Sequence, residues 1–140
     1  MSGFLLDTNV ISELIRPRPD AKVADWISST DENLLSLSVL TFGEIRKGIA
    51  ALPAAARRAR LEAWLDHDLA LRFAGRILPV DQPVADRWGR LSAEVASKRM
   101  VLPVVDGLLA ATALHHNLTL VTRNSRDIEP TSVPFFNPWL

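Results

Sequence analysis

The chain has 140 residues, of which 48% are hydrophobic and 23% are charged, and this is the composition of an ordinary globular protein. Sixteen basic residues balance sixteen acidic residues, so no overall charge draws the chain to nucleic acid or to a membrane. The absence of cysteine excludes disulfides, thiolate metal sites and thiol nucleophiles. Because neither a signal peptide nor a run of ~20 apolar residues is visible, we expect residues 1–140 to form a single cytoplasmic domain.

The hydrophobic pattern predicts short buried strands that alternate with amphipathic helices. The first strand, Phe4-Leu5-Leu6, is continuously apolar, as strands of parallel sheets are. Further strands are predicted at residues 34–38, 77–80, 119–122 and 133–136. Helical spacing predicts helices at residues 10–15, 23–27, 39–50, 53–73, 84–95 and 104–114. This alternation favours an α/β sandwich with a mostly parallel sheet of four to five strands.

Acidic and amide side chains follow the predicted strands or begin the predicted helices. Asp7 ends the first strand, Glu44 lies early in the helix after the second strand, and Asp106 lies in the first turn of a nearly all-apolar helix. Asn124 and Asp127 follow the fourth strand. Because the carboxyl ends of parallel strands share one edge of a sheet, these side chains are predicted to converge there.

Each acid also has a purely structural interpretation. Asp7 is a suitable N-cap for the following helix, and the Thr41–Glu44 segment has the spacing of a capping box. Asp106 complements a helix dipole, and Asp127 suits a turn. These interpretations remain open at the level of the sequence.

A cluster of carboxylates requires a cation, because two of them about 4 Å apart repel each other by about 4 kcal/mol at an effective dielectric of ~20. Oxygen ligands, without cysteine or a convincing set of histidines, favour Mg²⁺ over zinc, with Mn²⁺ as the alternative. Such a centre supports hydrolysis of phosphodiesters by a metal-activated water.

Four motifs carry a resemblance to a known family. They are Leu5-Leu6-Asp7-Thr8-Asn9, Glu44-Ile45-Arg46-Lys47-Gly48, Pro103-Val104-Val105-Asp106 with Ala110-Ala111-Thr112-Ala113, and Val121-Thr122-Arg123-Asn124-Ser125-Arg126-Asp127. In order and spacing the chain resembles the PIN-domain family, and more narrowly the VapC toxins of bacterial type II toxin–antitoxin systems and their FitB-like subgroup. The resemblance implies a PIN-like three-layer α/β/α sandwich and a Mg²⁺-dependent endoribonuclease.

The resemblance also implies roles for the polar residues. Asp7 and Asp106 match the metal-binding aspartates of the family, and Glu44 matches its glutamate, to which we assign the positioning of metal or water. Asn124 stands where many relatives carry aspartate, which leaves the number of metals open, and Asp127 matches the last acidic position. We therefore expect all five to be catalytic, and Asp7, Glu44 and Asp106 to be metal ligands.

Five further side chains lie in or beside the motifs. Thr8 and Thr122 are expected to orient the carboxylates through their hydroxyl groups. Arg46, Arg123 and Arg126 are candidates for binding RNA phosphate, and the alternative is that they neutralise the acidic cluster within the protein.

The expected partners follow from the resemblance. It implies an RNA substrate, a homodimer and a cognate antitoxin that contacts operator DNA through its own domain. The neutral Asn124 keeps open a non-catalytic PIN-like module that binds a partner or nucleic acid. A phosphatase acting on small phosphoesters is a third hypothesis, although Asn9 stands where an Asp-x-Asp motif needs its second acid.

Overall fold

A central parallel sheet organises the chain. The computed structural model describes residues 2–140, in which five strands pair in the order β3-β2-β1-β4-β5. In chain order the strands are β1 (Phe4–Leu6), β2 (Leu35–Ser38), β3 (Ile77–Leu78), β4 (Thr119–Val121) and β5 (Phe135–Phe136). All neighbouring pairs are parallel. The first strand is therefore the central one, and its carboxyl end lies between those of β2 and β4.

Helices precede or follow the strands throughout the chain. They are α1 (Thr8–Leu14), α2 (Ala21–Ser29), α3 (Val39–Ala50), α4 (Ala56–Ala63), α5 (Ala70–Arg72), α6 (Gln82–Ser97), α7 (Val104–His115) and α8 (Ser125–Ile128). Short 3₁₀ turns lie at Glu32–Leu34 and Glu129–Thr131, and a π-helical segment, Trp64–Leu69, joins α4 to α5. Among residues 2–140, no helix combines the length and the apolar character needed to cross a membrane.

The two faces of the sheet bury different side chains, because successive strand residues point to opposite faces. Leu5 and Leu120 pack with residues of α6 and α7, whereas Leu6 and Val121 pack with residues of α1 to α4 and of the π-helical segment. Both faces are covered by helices, so the predicted three-layer α/β/α sandwich with a parallel sheet is confirmed.

Three side-chain caps fix where helices begin. The Asp20 carboxylate accepts a hydrogen bond from the Lys22 amide at 2.9 Å, and Asp81 accepts one from Val84 at 3.2 Å. Ser38 Oγ accepts from the Leu40 amide at 3.1 Å, so α3 begins directly at the end of β2. This start brings the first two turns of α3 to the carboxyl edge of the sheet.

Several predicted boundaries differ from the structure. The helix predicted from Pro53 begins at Ala56, where Ala55 caps it without a side-chain hydrogen bond. The third strand ends at Leu78, because Pro79 has no amide hydrogen with which to extend the ladder. The second strand begins one residue later than predicted, because a 3₁₀ turn capped by Asp31 precedes it.

Candidate active site

A polar cavity lies at the carboxyl edge of the sheet. Its volume is about 430 Å³, and its lining includes Asp7, Glu44, Asp106 and Asn124. Four of the five predicted catalytic residues therefore share one space, although the β1–α1 junction, α3, α7 and the β4–α8 connection each contribute one. The central position of β1 accounts for this, since the elements after β1, β2 and β4 all leave the sheet at neighbouring points.

Asp7 is buried at the end of β1 and is held from several sides. Its amide donates to the Val121 carbonyl at 2.9 Å. Its carboxylate accepts hydrogen bonds from the Thr122 hydroxyl at 2.7 Å and from the Thr8 amide at 2.6 Å. Burial raises the pKa of Asp7, as does the nearby Glu44 charge, while the Thr122 and Thr8 hydrogen bonds act in the opposite direction. Asp7 also caps α1, so the N-cap interpretation of this residue is correct, and the same residue lines the cavity.

Glu44 reaches the cavity from the second turn of α3. Its carboxylate accepts a 2.5 Å hydrogen bond from the Thr8 hydroxyl. The capping-box interpretation is wrong, because Ser38 and not Thr41 is the N-cap of this helix. Glu44 is therefore free of a capping role and is oriented by a residue that directly follows Asp7.

Asp106 lies half-buried in the first turn of α7. Its pKa is raised to about 6, firstly by burial and then by the negative charges of Asp7, Asp127 and Glu44. A pKa that responds to three other acids indicates that they lie within electrostatic reach of one another. Perturbed acids in a cleft are typical of functional sites.

Asn124 and Asp127 follow β4 but differ in their placement. Asn124 lines the cavity, and its backbone amide donates a hydrogen bond to the Thr122 hydroxyl at 3.0 Å. Asp127 is exposed on α8 and is not among the cavity-lining residues, although its charge raises the pKa of Asp106. Asp127 therefore acts on the site through its field.

The three predicted phosphate-binding arginines occupy different surroundings. Arg123 lines the cavity, and its Cζ lies 5.2 Å from the centre of the Trp139 ring. Arg46 forms an ion pair with Asp66 and does not line the cavity. Arg126 is exposed on α8, also outside the cavity lining. Only Arg123 of the three is placed beside the acids.

The cavity has further lining residues to which the sequence assigned no role at the site, among them Asn9, Glu13, Arg16 and Trp139. Asn9 and Glu13 lie four residues apart on one face of α1, and Arg16 follows two residues after that helix ends. The spacing of Asn9 and Glu13 was the available signal. The approach of Trp139 has no local signal, because it depends on the final position of the chain after β5.

The donor set of the cavity fits a hard divalent cation. Carboxylate and amide oxygens line it, and Mg²⁺ binds proteins through one or two carboxylates while it keeps several waters. Within residues 2–140, no group of three acidic or histidine side chains stands close enough to form a complete ligand cluster. The arrangement therefore suits a cation that is held by few side chains and shares its coordination with water and phosphate.

Comparison with known proteins identifies the family. Residues 4–130 match the family model for the PIN domain. The chain belongs to the PIN-domain family. Toxin FitB of Neisseria gonorrhoeae is 38% identical over 136 residues, covering 97% of this chain and 98% of that protein. The protein named VapC ribonuclease Y4jK of Sinorhizobium fredii is 37% identical, with 97% of each chain covered.

Solved structures extend this assignment to the fold. The crystal structure of FitAcB from Neisseria gonorrhoeae superposes with a TM-score of 0.93 at 38% identity, covering 97% of this chain and 98% of that one. The PIN fold is thus shown over nearly the whole chain. Within the family, the chain is of the FitB and VapC toxin type.

Proposed function

We propose that this PIN-domain chain is a Mg²⁺-dependent endoribonuclease toxin of a type II toxin–antitoxin module. The observation that carries the proposal is the convergence of Asp7, Glu44 and Asp106 on one cavity, where the pKa of Asp106 is raised to about 6. Two relatives are named VapC ribonucleases, which supports RNA as the substrate.

The proposed mechanism assigns a task to each cavity residue. Asp7 and Asp106 would hold Mg²⁺, with Mn²⁺ as a substitute, and Thr122 fixes the orientation of the Asp7 carboxylate. Such a cation would acidify water and offset charge on the phosphate oxygens. Glu44, held by the Thr8 hydroxyl, would orient the attacking water, and Asn124 offers a neutral acceptor in the same cavity.

The decisive experiment replaces Asp7 by asparagine, which keeps the shape of the side chain but removes its charge. RNA cleavage should fall by more than ~100-fold, because the loss of a metal ligand should reduce activity more than the loss of a side chain that only hydrogen-bonds to that ligand. Asp86→Asn is the matched control, since Asp86 is exposed and pairs with Arg90 outside the cavity. Circular dichroism and thermal unfolding establish that both variants fold. If Asp7→Asn cleaves RNA like the parent, the site assignment is wrong.

A non-catalytic binding module is the second candidate, favoured by the neutral Asn124 in the cavity. Isothermal titration with Mg²⁺ and Mn²⁺ distinguishes the two functions. An enzyme should bind the cation in the cavity and lose RNA cleavage in EDTA. A binding module should show neither response, while it still binds RNA or a protein partner.

We further propose that the chain pairs with a cognate antitoxin and forms a homodimer. A related structure is described as FitAB bound to a DNA fragment, and another as VapBC bound to DNA from its promoter. A groove of about 400 Å³, lined in part by Val39, Leu40 and Val105, adjoins the acidic cavity at Glu44. This combination suits a partner segment with an apolar face and one basic side chain. Co-expression with a candidate antitoxin should suppress nuclease activity, and light scattering should give the mass of a dimer.

A further inference from the structure

The Glu13 carboxylate is buried and binds three donors from separate parts of the chain. Its side chain is 6% exposed. Oε2 accepts from the Asp20 amide at 3.1 Å, and Oε1 accepts from Arg16 Nη1 and from Trp139 Nε1, both at 3.3 Å. The Asp20 amide is the main cause that lowers the pKa of Glu13, with further contributions from Trp139 and Arg16. Glu13 thus joins α1, the loop after it and the end of the chain.

Trp139 in turn supports a second arginine. Its ring lies 5.2 Å from Arg123 Cζ, which is a cation–π distance. A guanidinium stacked on a ring keeps its N–H donors directed away from that ring. Across residues 2–140, no carboxylate accepts a hydrogen bond from the Arg123 side chain, so its donors are free for a ligand.

Arg16 also has N–H donors that are free for a ligand. Its side chain is 63% exposed and uses one nitrogen on Glu13, although a guanidinium offers five donors. Arg16 and Arg123 both line the cavity that contains the acids. Within residues 2–140, Arg16 pairs with Glu13 and Arg123 pairs with no carboxylate, so neither arginine neutralises Asp7, Glu44 or Asp106 by direct contact.

We propose that Glu13 and Trp139 form a clamp that holds Arg16 and Arg123 at the cavity, where the two guanidinium groups bind the phosphate backbone of the RNA strand. The proposal rests on the proposed ribonuclease function and adds the residues that seat the substrate. Glu13 and Trp139 are positioning residues in this scheme, because they act through the arginines.

The test measures RNA binding separately from cleavage. All variants are made in the Asp7→Asn background, and binding of a labelled single-stranded RNA of randomised sequence is followed by fluorescence anisotropy. Arg123→Gln should weaken binding about ten-fold, and the slope of log Kd against log salt should fall by about 0.7, which corresponds to one phosphate contact. Arg90→Gln removes the same charge from an exposed arginine outside the cavity and should change neither quantity.

The clamp itself is tested by combining substitutions. Trp139→Leu keeps an apolar side chain but removes the ring beneath Arg123, so it should weaken binding about as much as Arg123→Gln does. In a chain that already carries Arg123→Gln, it should add little, because the two substitutions remove the same interaction. Equal weakening in both backgrounds would mean that Trp139 contacts RNA itself, and that result overturns the positioning role.

Two substitutions of Glu13 separate a loss of the clamp from a general loss of folding. Glu13→Gln keeps an acceptor for Trp139 and Asp20 and should weaken RNA binding less than Glu13→Ala. With Asp7 restored, Glu13→Ala should raise KM and leave kcat largely unchanged. If the parent chain cleaves RNA but the clamp variants all bind RNA with unchanged affinity, this inference alone is overturned. A parent chain that neither binds nor cleaves RNA overturns the proposed function as well.

Discussion

The Thr122 hydroxyl donates a 2.7 Å hydrogen bond to the Asp7 carboxylate, although the two residues lie 115 positions apart in the sequence. Thr122 follows β4 and Asp7 follows β1, so the bond joins the carboxyl ends of two neighbouring strands. The same hydroxyl accepts a hydrogen bond from the Asn124 amide at 3.0 Å. One buried hydroxyl therefore connects a predicted metal ligand with the loop that completes the cavity.

Thr122→Val should weaken the binding of divalent cations. Hydrogen bonds to a carboxylate favour its charged form, so losing this bond should raise the pKa of Asp7 above its already raised value. We expect Mg²⁺ affinity to fall by about 10–100-fold and the acid limb of RNA cleavage to move to higher pH. Isothermal titration and pH–rate profiles measure these effects.

Thr112→Val is the control for this substitution. Thr112 is also buried, but its hydroxyl donates within α7 to the Leu108 carbonyl at 2.7 Å. It should leave the metal affinity unchanged. Equal losses of affinity in both variants would show that the effect of Thr122 arises from general destabilisation.

The contribution of Asp106 to the unfolding free energy of the metal-free protein should decrease as the pH rises from about 4 to about 6. The folded pKa of Asp106 is raised to about 6 from an ordinary value of 3.8, so the folded state binds this proton more tightly than the unfolded state. Its contribution is complete below the unfolded pKa and is lost as the pH passes through the folded pKa. Because Asp106 is only partly buried, we expect its contribution to the unfolding free energy to be roughly 1–2 kcal/mol after allowance for solvent screening.

Urea unfolding in EDTA at a series of pH values measures this contribution. Asp106→Asn should remove this contribution from the pH dependence and should be more stable than the parent at neutral pH without metal. Added Mg²⁺ should stabilise the parent and have little effect on the variant. An identical pH dependence of stability in the parent and in Asp106→Asn would contradict the raised pKa.

Asn124→Asp should tighten the binding of a divalent cation about ten-fold, because it adds a carboxylate to the lining of the acidic cavity. It should also lower the stability of the metal-free protein, since the new charge repels the existing acids. Calorimetric titration with Mn²⁺ measures the affinity. Asn117→Asp adds the same charge at the exposed end of α7 and should have no such effect; a comparable gain there would point to a general electrostatic cause.

Gly107→Ala should destabilise the fold by about 1–3 kcal/mol through overpacking. A Cβ at this position would lie 3.0 Å from Leu102 Cδ2 and from two atoms of the Trp88 indole, so these side chains would have to shift in the contact between α6 and α7. Gly89→Ala is the control on α6, where an added Cβ meets no atom within 4 Å and should stabilise the helix by about 0.5–1 kcal/mol. Thermal unfolding of the two variants measures this difference, and similar shifts in Tm in both variants would exclude the packing explanation.

The features that follow local rules could be predicted from the sequence. The apolar run before Asp7 indicated a buried strand, and helical spacing over residues 39–50 indicated α3, which together direct Asp7 and Glu44 to one edge. The placement of Asp106 required only that its helix pack on the same sheet. Parallel topology then brought these acids together without any knowledge of side-chain contacts.

Interactions between distant segments could not be predicted in this way. The ion pair of Arg46 with Asp66 depends on how α3 meets the π-helical segment, and no local pattern encodes that approach. The bond between Glu13 and Trp139 likewise depends on where the last residues pass after β5. Arginines in sequence motifs are long and flexible, so their neighbours in space decide which of them reach the cavity.

The order in which the cavity residues occur along the chain has a consequence for synthesis. Asp7 leaves the ribosome before Thr122 and Trp139, and the central strand lacks its β4 neighbour until Thr119–Val121 has been synthesised. At about 5–20 residues per second, the interval between Asp7 and Thr122 lasts roughly 10 s. The pocket therefore assembles only after this part of the chain has been made, and under the proposed function any cleavage of RNA would have to wait until then.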